Sequence, residues 1–453
     1  MTGPARGLAH AVAQRARAIE PSALSEDTCA ATQAHLLDCL GLTIAGRSSD
    51  RVRRALAVDA GPDPVVVLSL ACGAVGLDDF DESTRTHPGA MIIPALLVAA
   101  AAGDQPIPGN RLATALALGY DLIAWLGAAT DARKMHSRGR HPSAVLGVPS
   151  VALAAAWLAG LDEQALAAAL GIGGAFSFGL TQFDSREDMR ALQTAEAASA
   201  GLRAARFAAA GFPASDHALE GPGGLLDGDT SLVVPVEAIG ATPGAVELVS
   251  FKPYPHFSDL HPVVAALLTA FEGESADPAE VVGLRALLTE RAASRLHVEP
   301  VRSVKEAKRS GPFVLAFALR SMSTDGPDLR LPFTDSDVAD PRTRALADRV
   351  EIAVTPTAGN GDRDVSAIEV VLADGRILSA SSRGYPGDGR DPRLRWNLAD
   401  VRERFDALTK HEKQCRAVVA AAGRLVDRLT TTEDVRDDAR SLIDALVSAD
   451  SRP

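Results

Sequence analysis

Alanine-rich apolar runs, separated at short intervals by Pro, Gly or polar residues, constrain the fold of this chain most. They occupy residues 90–102, 110–129, 144–160 and 191–211. Hydrophobic residues make up 47% of the chain but aromatic residues only 4%, so the core must be built mostly from Ala, Val and Leu. Small side chains at helical spacing, joined by short loops, predict an all-α bundle with close helix contacts. Because Pro or Gly interrupts these runs, we interpret them as core helices and not as membrane spans.

The pattern changes in the middle of the chain. Residues 281–300 and 347–354 have the alternation of strands, and 365–372 with 376–382 predict a hairpin. Helical patterns return after about residue 397, and 453 residues exceed one ordinary core. We therefore predict a mainly α protein: a large all-α helical domain built from residues 1–247 and 395–453, and an inserted, smaller α+β lid domain at 248–394.

Charge and cysteine content argue against several functional classes. Lys+Arg 46 and Asp+Glu 58 give a net charge of −12, whereas nucleic-acid binders present a basic face. The four cysteines form no CxxC pair and no zinc-ligand spacing with His, which indicates reduced thiols in a cytoplasmic protein. The N-terminus lacks the apolar core of a signal peptide. No phosphate-binding loop, dinucleotide fingerprint or HExxH motif occurs, so we expect neither an organic cofactor nor a metal.

One polar loop precedes the apolar run at residue 90. It reads LDDFDESTRTHPG from residue 77 and combines four acids, three hydroxyls, Arg85 and His87 before Pro88-Gly89. A helix start offers unpaired N–H groups and a partial positive charge, and a loop fixed by Pro and Gly can aim side chains at a small anion. The alternative interpretation is a solvated acidic turn. We refer to residues 77–89 as the acidic loop.

A second His-Pro step supports the functional interpretation. The basic loop at 133–142 ends in His141-Pro142, at the start of another apolar helix, as His87-Pro88 does in the acidic loop. Histidine titrates near neutral pH and can serve as acid or base. Lys252, beside Pro253 and Pro255 in the aromatic segment FKPYPHF, is a candidate carboxylate anchor. These residue types suit proton transfer on a carboxylate substrate, in which a cation holds the carboxylate and a base removes a neighbouring proton.

Five segments carry a family resemblance that spans nearly the whole chain. They are LLDCLGLTIAG at 36–46, the acidic loop, GRHPSAVLG with the helix after it, FKPYPHFSDLHPVVAAL at 251–267 and, more weakly, GDGRDPRLRWNLADVRERF at 387–405. Together they resemble the MmgE/PrpD family of dehydratases, decarboxylases and epimerases. The resemblance implies a helical domain with an α+β lid, a homodimer, and an active site between the domains that needs no metal or organic cofactor.

The resemblance also implies a set of site residues. The predicted catalytic residues are His87, His141, Lys252, Asp79 and Ser83. The predicted substrate-binding residues are Arg190, Thr84, Arg85, Tyr254, His256 and His261. The chain departs from the family pattern in three places: an acidic loop about two residues shorter than in the decarboxylase-like pattern, Arg190 in place of a Lys, and Phe313 in place of a Tyr. The changes at Arg190 and Phe313 argue against plain cis-aconitate decarboxylation.

The expected function is therefore a cofactor-independent lyase or isomerase of a small polycarboxylate, with 2-methylcitrate dehydratase-like dehydration as the leading reaction. Epimerisation or decarboxylation of a modified substrate in a biosynthetic pathway is an alternative. A relative that has lost catalysis and serves as a binding or scaffold subunit is another. The expected partners are the carboxylate substrate and a second copy of the chain, with no nucleic acid and no membrane.

Overall fold

The computed structural model describes residues 7–58, 63–183, 187–227, 235–241, 244–296, 300–323, 326–355, 365–410 and 416–447. Within these residues the protein is mainly α-helical with one small mixed β-sheet, which confirms the predicted mainly α class. The chain divides into two compact units. Unit 1 takes in Met1–Ser250 and Asn397–Pro453, and unit 2 is the continuous segment Phe251–Trp396.

Ten helices form the first part of unit 1 in the described residues. They are α1 (Leu8–Arg17), α2 (Glu26–Gly46), α3 (Asp50–Leu56), α4 (Pro64–Cys72), α5 (Gly89–Ala102), α6 (Gly109–Ala129), α7 (Ala132–Ser137), α8 (Pro142–Leu158), α9 (Glu163–Phe176) and α10 (Glu187–Ala209). Ser25 and Asp162 cap α2 and α9, because their side chains accept backbone N–H groups of the first turn. Every residue of α8 is buried, so its small side chains fill the centre of the unit.

Three local predictions for unit 1 were wrong. The loop predicted at 133–142 contains α7, since the buried side chain of Met135 anchors a helical turn there. Asn110, at the start of the apolar run 110–129, is of a residue type that predicts a helix cap; it does not cap α6, because Pro108 occupies the capping position. The valine-rich segment 231–239 predicts an extended chain; residues 231–234 lie outside the described residues, and Val236–Ala238 form a 3₁₀ turn. By length and composition α6 could cross a membrane, and 89% of its most apolar 18-residue stretch is buried in the protein.

Unit 2 is built on a four-stranded sheet of order β2-β1-β3-β4. Its strands are β1 (Val281–Thr289), β2 (Val350–Thr355), β3 (Ser366–Leu372) and β4 (Ile377–Ser382). Its helices are α11 (His261–Phe271), α12 (Glu290–Ala293), α13 (Val304–Ala307), α14 (Gly311–Ser321), α15 (Asp335–Ala339) and α16 (Pro341–Ala347). β1 pairs with β2 in parallel, opposing Leu284 to Val350, and with β3 in antiparallel, opposing Leu284 to Val370.

The core of unit 2 lies between this sheet and two apolar helices. Inward residues of β1 and β3 are buried in alternation, and α11 and α14 bury their apolar faces in the same cluster. The hairpin predicted around Asp374-Gly375 is confirmed, with Gly375 at φ 88° where glycine meets no Cβ penalty. The strand predicted at 281–300 ends at Thr289, because the Thr289 side chain caps α12.

The last three described helices return to unit 1. They are α17 (Leu398–Thr409), α18 (Arg416–Arg428) and α19 (Arg436–Val447). α17 and α18 pack on α2, and α19 packs on α4 and α5. Two backbone hydrogen bonds also join the start of α6 to the α18–α19 turn, from Gly109 N to Glu433 O and from Asn110 N to Thr431 O. The helices that precede and follow the acidic loop are therefore held by the C-terminal part of the chain.

Candidate active site

The acidic loop is fixed in unit 1 by the buried side chain of Asp79. One carboxyl oxygen, Oδ2, accepts a hydrogen bond of 2.7 Å from the Tyr120 hydroxyl and lies 3.0 Å from Nδ1 of His35. The Gly89 N–H donates to both oxygens, at 2.9 and 3.2 Å. These partners come from α6, α2 and the first residue of α5. A loop residue that meets three helices holds the loop backbone in one place.

His87 is oriented by the same loop. Its Nδ1 lies 2.8 Å from the main-chain oxygen of Asp79 and 2.9 Å from Oδ2 of Asp78. Both oxygens can only accept, so Nδ1 carries the proton in the neutral ring. Nε2 then holds the lone pair that can take a proton. The Phe80 ring packs against the imidazole, with centroids 5.1 Å apart, and restricts its rotation.

The hydroxyl residues of the loop are held by Asp81. Its Oδ1 accepts from the N–H and the hydroxyl of Ser83, at 2.8 and 2.6 Å, and its Oδ2 accepts from Oγ1 of Thr84 at 2.7 Å. Thr84 is buried, whereas Ser83 is exposed. Arg85 has φ 58°, the left-handed region that a non-glycine residue seldom adopts, and this closes the tight turn. Ser83, Thr84 and Arg85 remain predicted site residues.

The structure links the two His-Pro steps. The His87 N–H donates to Oγ of Ser143 at 3.2 Å, and Ser143 is fully buried in the first turn of α8. His141 is the N-cap residue of that helix and is 5% exposed. Its backbone N–H donates to the Gly179 carbonyl, and Gly179 has φ 130°. The first turn of α8 therefore sits against His87, and both histidines belong to one region of unit 1.

Unit 2 holds a separate buried cluster of predicted site residues. Lys252, Tyr254, His256 and His261 are between 0% and 8% exposed. The His261 ring lies 4.8 Å from the His256 ring and 4.8 Å from the Tyr385 ring, centroid to centroid. Burial lowers the pKa of His256 to about 4 and, together with the charges of His256 and Lys252, lowers the pKa of His261 well below its ordinary value. Both imidazoles are therefore neutral at pH 7 beside one cation.

Arg404 on α17 braces the start of the acidic loop. One guanidinium nitrogen donates to the Leu77 carbonyl at 2.9 Å, and Nε lies 3.1 Å from Oδ1 of Asp38. The Asp38 side chain is 3% exposed and the Arg404 side chain 10%. Burial raises the pKa of Asp38 to about 6 although the Arg404 charge opposes the rise. The backbone of the loop is thus tied to a buried ion pair.

Arg190 and Phe313, the two positions where the chain departs from the family pattern, lie in contrasting surroundings: one is exposed and the other is buried. Arg190, in the first turns of α10, is exposed, and its role as a carboxylate anchor remains a prediction. Phe313 is 2% exposed and packs against the rings of Phe317 and Phe333 in the core of unit 2. A phenyl ring suits that position because the neighbouring rings offer no hydrogen-bond acceptor.

Four residues around the acidic loop were not predicted as site residues from the sequence: His35, Tyr120, Ser143 and Arg404. A signal existed for Tyr120, because a tyrosine within an apolar helix needs a partner for its hydroxyl when buried. The partner, Asp79, could not be identified from local sequence, since 41 residues separate the two. Among the residues that the structure describes, no three His, Cys, Asp or Glu side chains are grouped to hold a metal ion.

Two curated relatives have partial similarity to the chain. Over 158 residues it is 29% identical to a cis-aconitate decarboxylase-like protein of Aspergillus oryzae (strain ATCC 42149 / RIB 40), covering 34% of this chain and 33% of that protein. Over 150 residues it is 29% identical to the cis-aconitate decarboxylase of Aspergillus terreus, covering 32% of this chain and 31% of that protein. The chain thus spans about a third of the length of these relatives.

Two family domains cover most of the chain. Residues 65–231 match the MmgE/PrpD N-terminal domain, which includes the acidic loop, both His-Pro steps and the helices around them. Residues 254–447 match the MmgE/PrpD C-terminal domain. The chain therefore belongs to the MmgE/PrpD family.

Proposed function

We propose that this protein is a lyase of a small polycarboxylic acid, and that 2-methylcitrate-like dehydration is its reaction. The family and the decarboxylases among its relatives support lyase chemistry that begins next to a carboxylate. The observation that carries the proposal is the fixed His87 ring, whose Nδ1 faces two oxygens within 2.9 Å. A ring held in this way presents Nε2 as the proton acceptor, the arrangement of a general base.

The proposed roles rest on the chemistry of each side chain. His87 removes the proton from the carbon next to a carboxylate through Nε2. His141, the second histidine of the region, donates a proton to the hydroxyl group that leaves as water. The electron pair of the broken C–H bond forms the new C=C bond, so the products are an unsaturated acid and one water molecule. Lys252 is the proposed carboxylate anchor, because an ammonium group in a buried, mostly neutral cluster keeps its attraction for an anion.

The neutral state of His256 and His261 fits this role for the lysine. Two imidazolium rings beside Lys252 would add two positive charges to a buried cluster, and burial opposes this. One cation attracts an anion by its charge. Because the two imidazoles are neutral, no further positive charge slows the release of that anion. We propose that the two rings line the anchor as neutral hydrogen-bonding groups.

The test is NMR of the protein in deuterated buffer with citrate, 2-methylcitrate, cis-aconitate and aspartate-derived imino acids. An unsaturated product with loss of the hydroxyl signal supports dehydration. Decarboxylation or inversion of a stereocentre, each visible in the product spectrum, would replace dehydration by the corresponding reaction of the family. A substrate that binds without exchange of any C–H proton would instead favour a binding subunit. Loss of turnover on treatment with a chelator would contradict the metal-independent reaction proposed here.

Variants assign the roles. His87→Ala and His141→Ala should each lower turnover by at least about 100-fold with folding retained. His10→Ala is the matched control, because His10 lies on α1 and its Nε2 pairs with Asp216 at 3.0 Å. Near-normal turnover in both site variants would refute the assignment of the two histidines.

A further inference from the structure

We propose that Tyr120 and His35 are positioning residues for His87, and that they act through Asp79 without contacting the imidazole. The inference rests on the proposed function of His87 as the base. It adds two residues, from α6 and α2, that the family resemblance did not bring to the site.

The first step is the confinement of Asp79. Its carboxyl group is 4% exposed and meets the Tyr120 hydroxyl at 2.7 Å, the His35 ring nitrogen at 3.0 Å and the Gly89 N–H at 2.9 Å. The Tyr120 and His35 side chains are themselves 1% and 3% exposed, and their rings pack with centroids 5.3 Å apart. A hydrogen bond is electrostatically stronger in such buried surroundings than in water, so each contact is an effective restraint.

The second step runs through the backbone. The main-chain oxygen that accepts from Nδ1 of His87 belongs to Asp79 itself, at 2.8 Å. This oxygen and the confined carboxyl group extend from the same Cα atom, so fixing the side chain fixes the position of the Cα from which the carbonyl extends. The other side of the same peptide group is held separately, because the Phe80 N–H donates to the Ser250 carbonyl at 2.9 Å. Without the two ring partners, the carboxyl group would keep only the Gly89 N–H, and a shift of the Asp79 Cα would change the distance from its carbonyl to Nδ1.

The third step is the state of the Tyr120 hydroxyl. Burial, followed by the nearby Asp79 carboxyl, raises the pKa of Tyr120 well above its ordinary value. The hydroxyl therefore stays protonated and remains a donor to Asp79 throughout the neutral range. A tyrosine that cannot ionise here is suited to hold a carboxyl group and unsuited to act as a base.

The position of the Asp79 carbonyl determines whether His87 can act as a base. A neutral imidazole has two tautomers, and only the one with the proton on Nδ1 leaves Nε2 as the acceptor. If the carbonyl of Asp79 moves, Nδ1 keeps only the Asp78 carboxylate as an acceptor. The preference for the Nδ1–H tautomer is then weaker, and the fraction of protein in the Nε2–H tautomer cannot act as a base. Tyr120 and His35 thus favour the reactive tautomer from a distance.

The test uses ¹⁵N-histidine-labelled full-length protein and reads the tautomer of His87, assigned by the signal that disappears in His87→Gln. We expect the Nδ1–H tautomer in the wild type, a measurable Nε2–H fraction in Tyr120→Phe and His35→Leu, and kcat lowered about 10- to 100-fold with KM within about twofold. His35→Asn, whose amide can place a donor near the Nδ1 position, should recover most of both properties. Thr114→Val, which also removes a buried hydroxyl from α6, is the matched control.

The outcomes separate this inference from the proposed function. Wild-type tautomer and kcat in both Tyr120→Phe and His35→Leu would overturn the positioning role. A kcat loss with an unchanged tautomer would overturn it as well, since that result indicates a merely structural role. A shifted tautomer in these variants supports the positioning role even if His87→Ala retains turnover, a result that would refute only the assignment of His87 as the base.

Discussion

Replacement of Gly89 by Ala is the sharpest single perturbation of the acidic loop. Gly89 begins α5, and a Cβ added there would lie 2.7 Å from Oδ2 of Asp79 and 2.8 Å from the Tyr120 hydroxyl. Real Cβ atoms do not approach oxygen so closely, so the 2.7 Å hydrogen bond between these two groups must lengthen or break. The methyl group therefore enters the one space that holds Asp79 in place.

The magnitude follows from two opposing effects. Loss of a buried hydrogen bond to a carboxylate costs about 1.5–3 kcal/mol. Alanine in place of glycine in a helix returns up to about 1 kcal/mol, and less in a first turn. The net expectation is a free energy of unfolding lowered by about 1–2 kcal/mol. Since the Asp79 carbonyl orients His87, kcat should fall about 10- to 100-fold.

Guanidinium-induced unfolding and the deuterium-exchange assay measure the two effects. Gly423→Ala is the control, because Gly423 lies inside α18 and nothing stands within 4 Å of its added Cβ. That substitution should raise the free energy of unfolding by about 0.8–1 kcal/mol without change in turnover. If Gly89→Ala is stabilising as well and retains full turnover, the account of Asp79 as the fixed point of the loop is wrong.

Three further expectations concern other parts of the molecule. Arg404→Met removes the cation beside buried Asp38 and a donor to the Leu77 carbonyl, and should lower the free energy of unfolding by about 1–3 kcal/mol, because an Asp38 carboxyl with a pKa of about 6 can take up a proton when its partner is lost. Arg402→Met, in an exposed pair, should cost less than about 1 kcal/mol; equal effects in denaturation would contradict the bracing role. Thr84→Val, which loses a buried donor, should cost about 1–3 kcal/mol against less than about 0.5 kcal/mol for Ser83→Ala, and the same measurement decides. His256 has its pKa lowered from 6.5 to about 4, so the stability it contributes is present above pH 6.5 and is lost as pH falls toward 4. Between pH 7 and pH 5 the wild type should lose about 2 kcal/mol more than His256→Asn, and parallel pH profiles would refute this.

Local chemistry made much of the fold predictable. Ser25 and Asp162 mark the starts of α2 and α9, because their side chains accept unpaired N–H groups of the first turn. A proline follows the N-cap residues of α4 and α8, because it has no N–H group that would need an acceptor there. The end of β1 was not predictable in the same way, because the residue type at position 289 allows two structures. Thr289 suits a strand, but it also suits a cap, and the cap ended β1 there.

In the candidate site, contacts within the acidic loop were predictable from the sequence and contacts from distant helices were not. Asp81 with Ser83 and Thr84 is a local cluster that the sequence of the loop predicts. His35 and Tyr120 meet Asp79 from helices 44 and 41 residues away in the chain, and their own sequence surroundings are those of core helices. Residues that act through packing between distant helices leave no local pattern, and only the assembled structure identifies them.

The tie between Arg404 and the carbonyl of Leu77 has a consequence for biosynthesis. The two residues are 327 positions apart, so a ribosome adding about 5–20 residues per second needs roughly 16–65 s to supply the arginine after the leucine has been made. During that interval the nascent chain carries Asp38 without its cation, and the face of α2 that α17 covers stays exposed. All of unit 2 is synthesised before Arg404 is added to the chain. We therefore expect nascent unit 1 to depend on chaperones, and to acquire an ordered acidic loop only after α17 has left the ribosome.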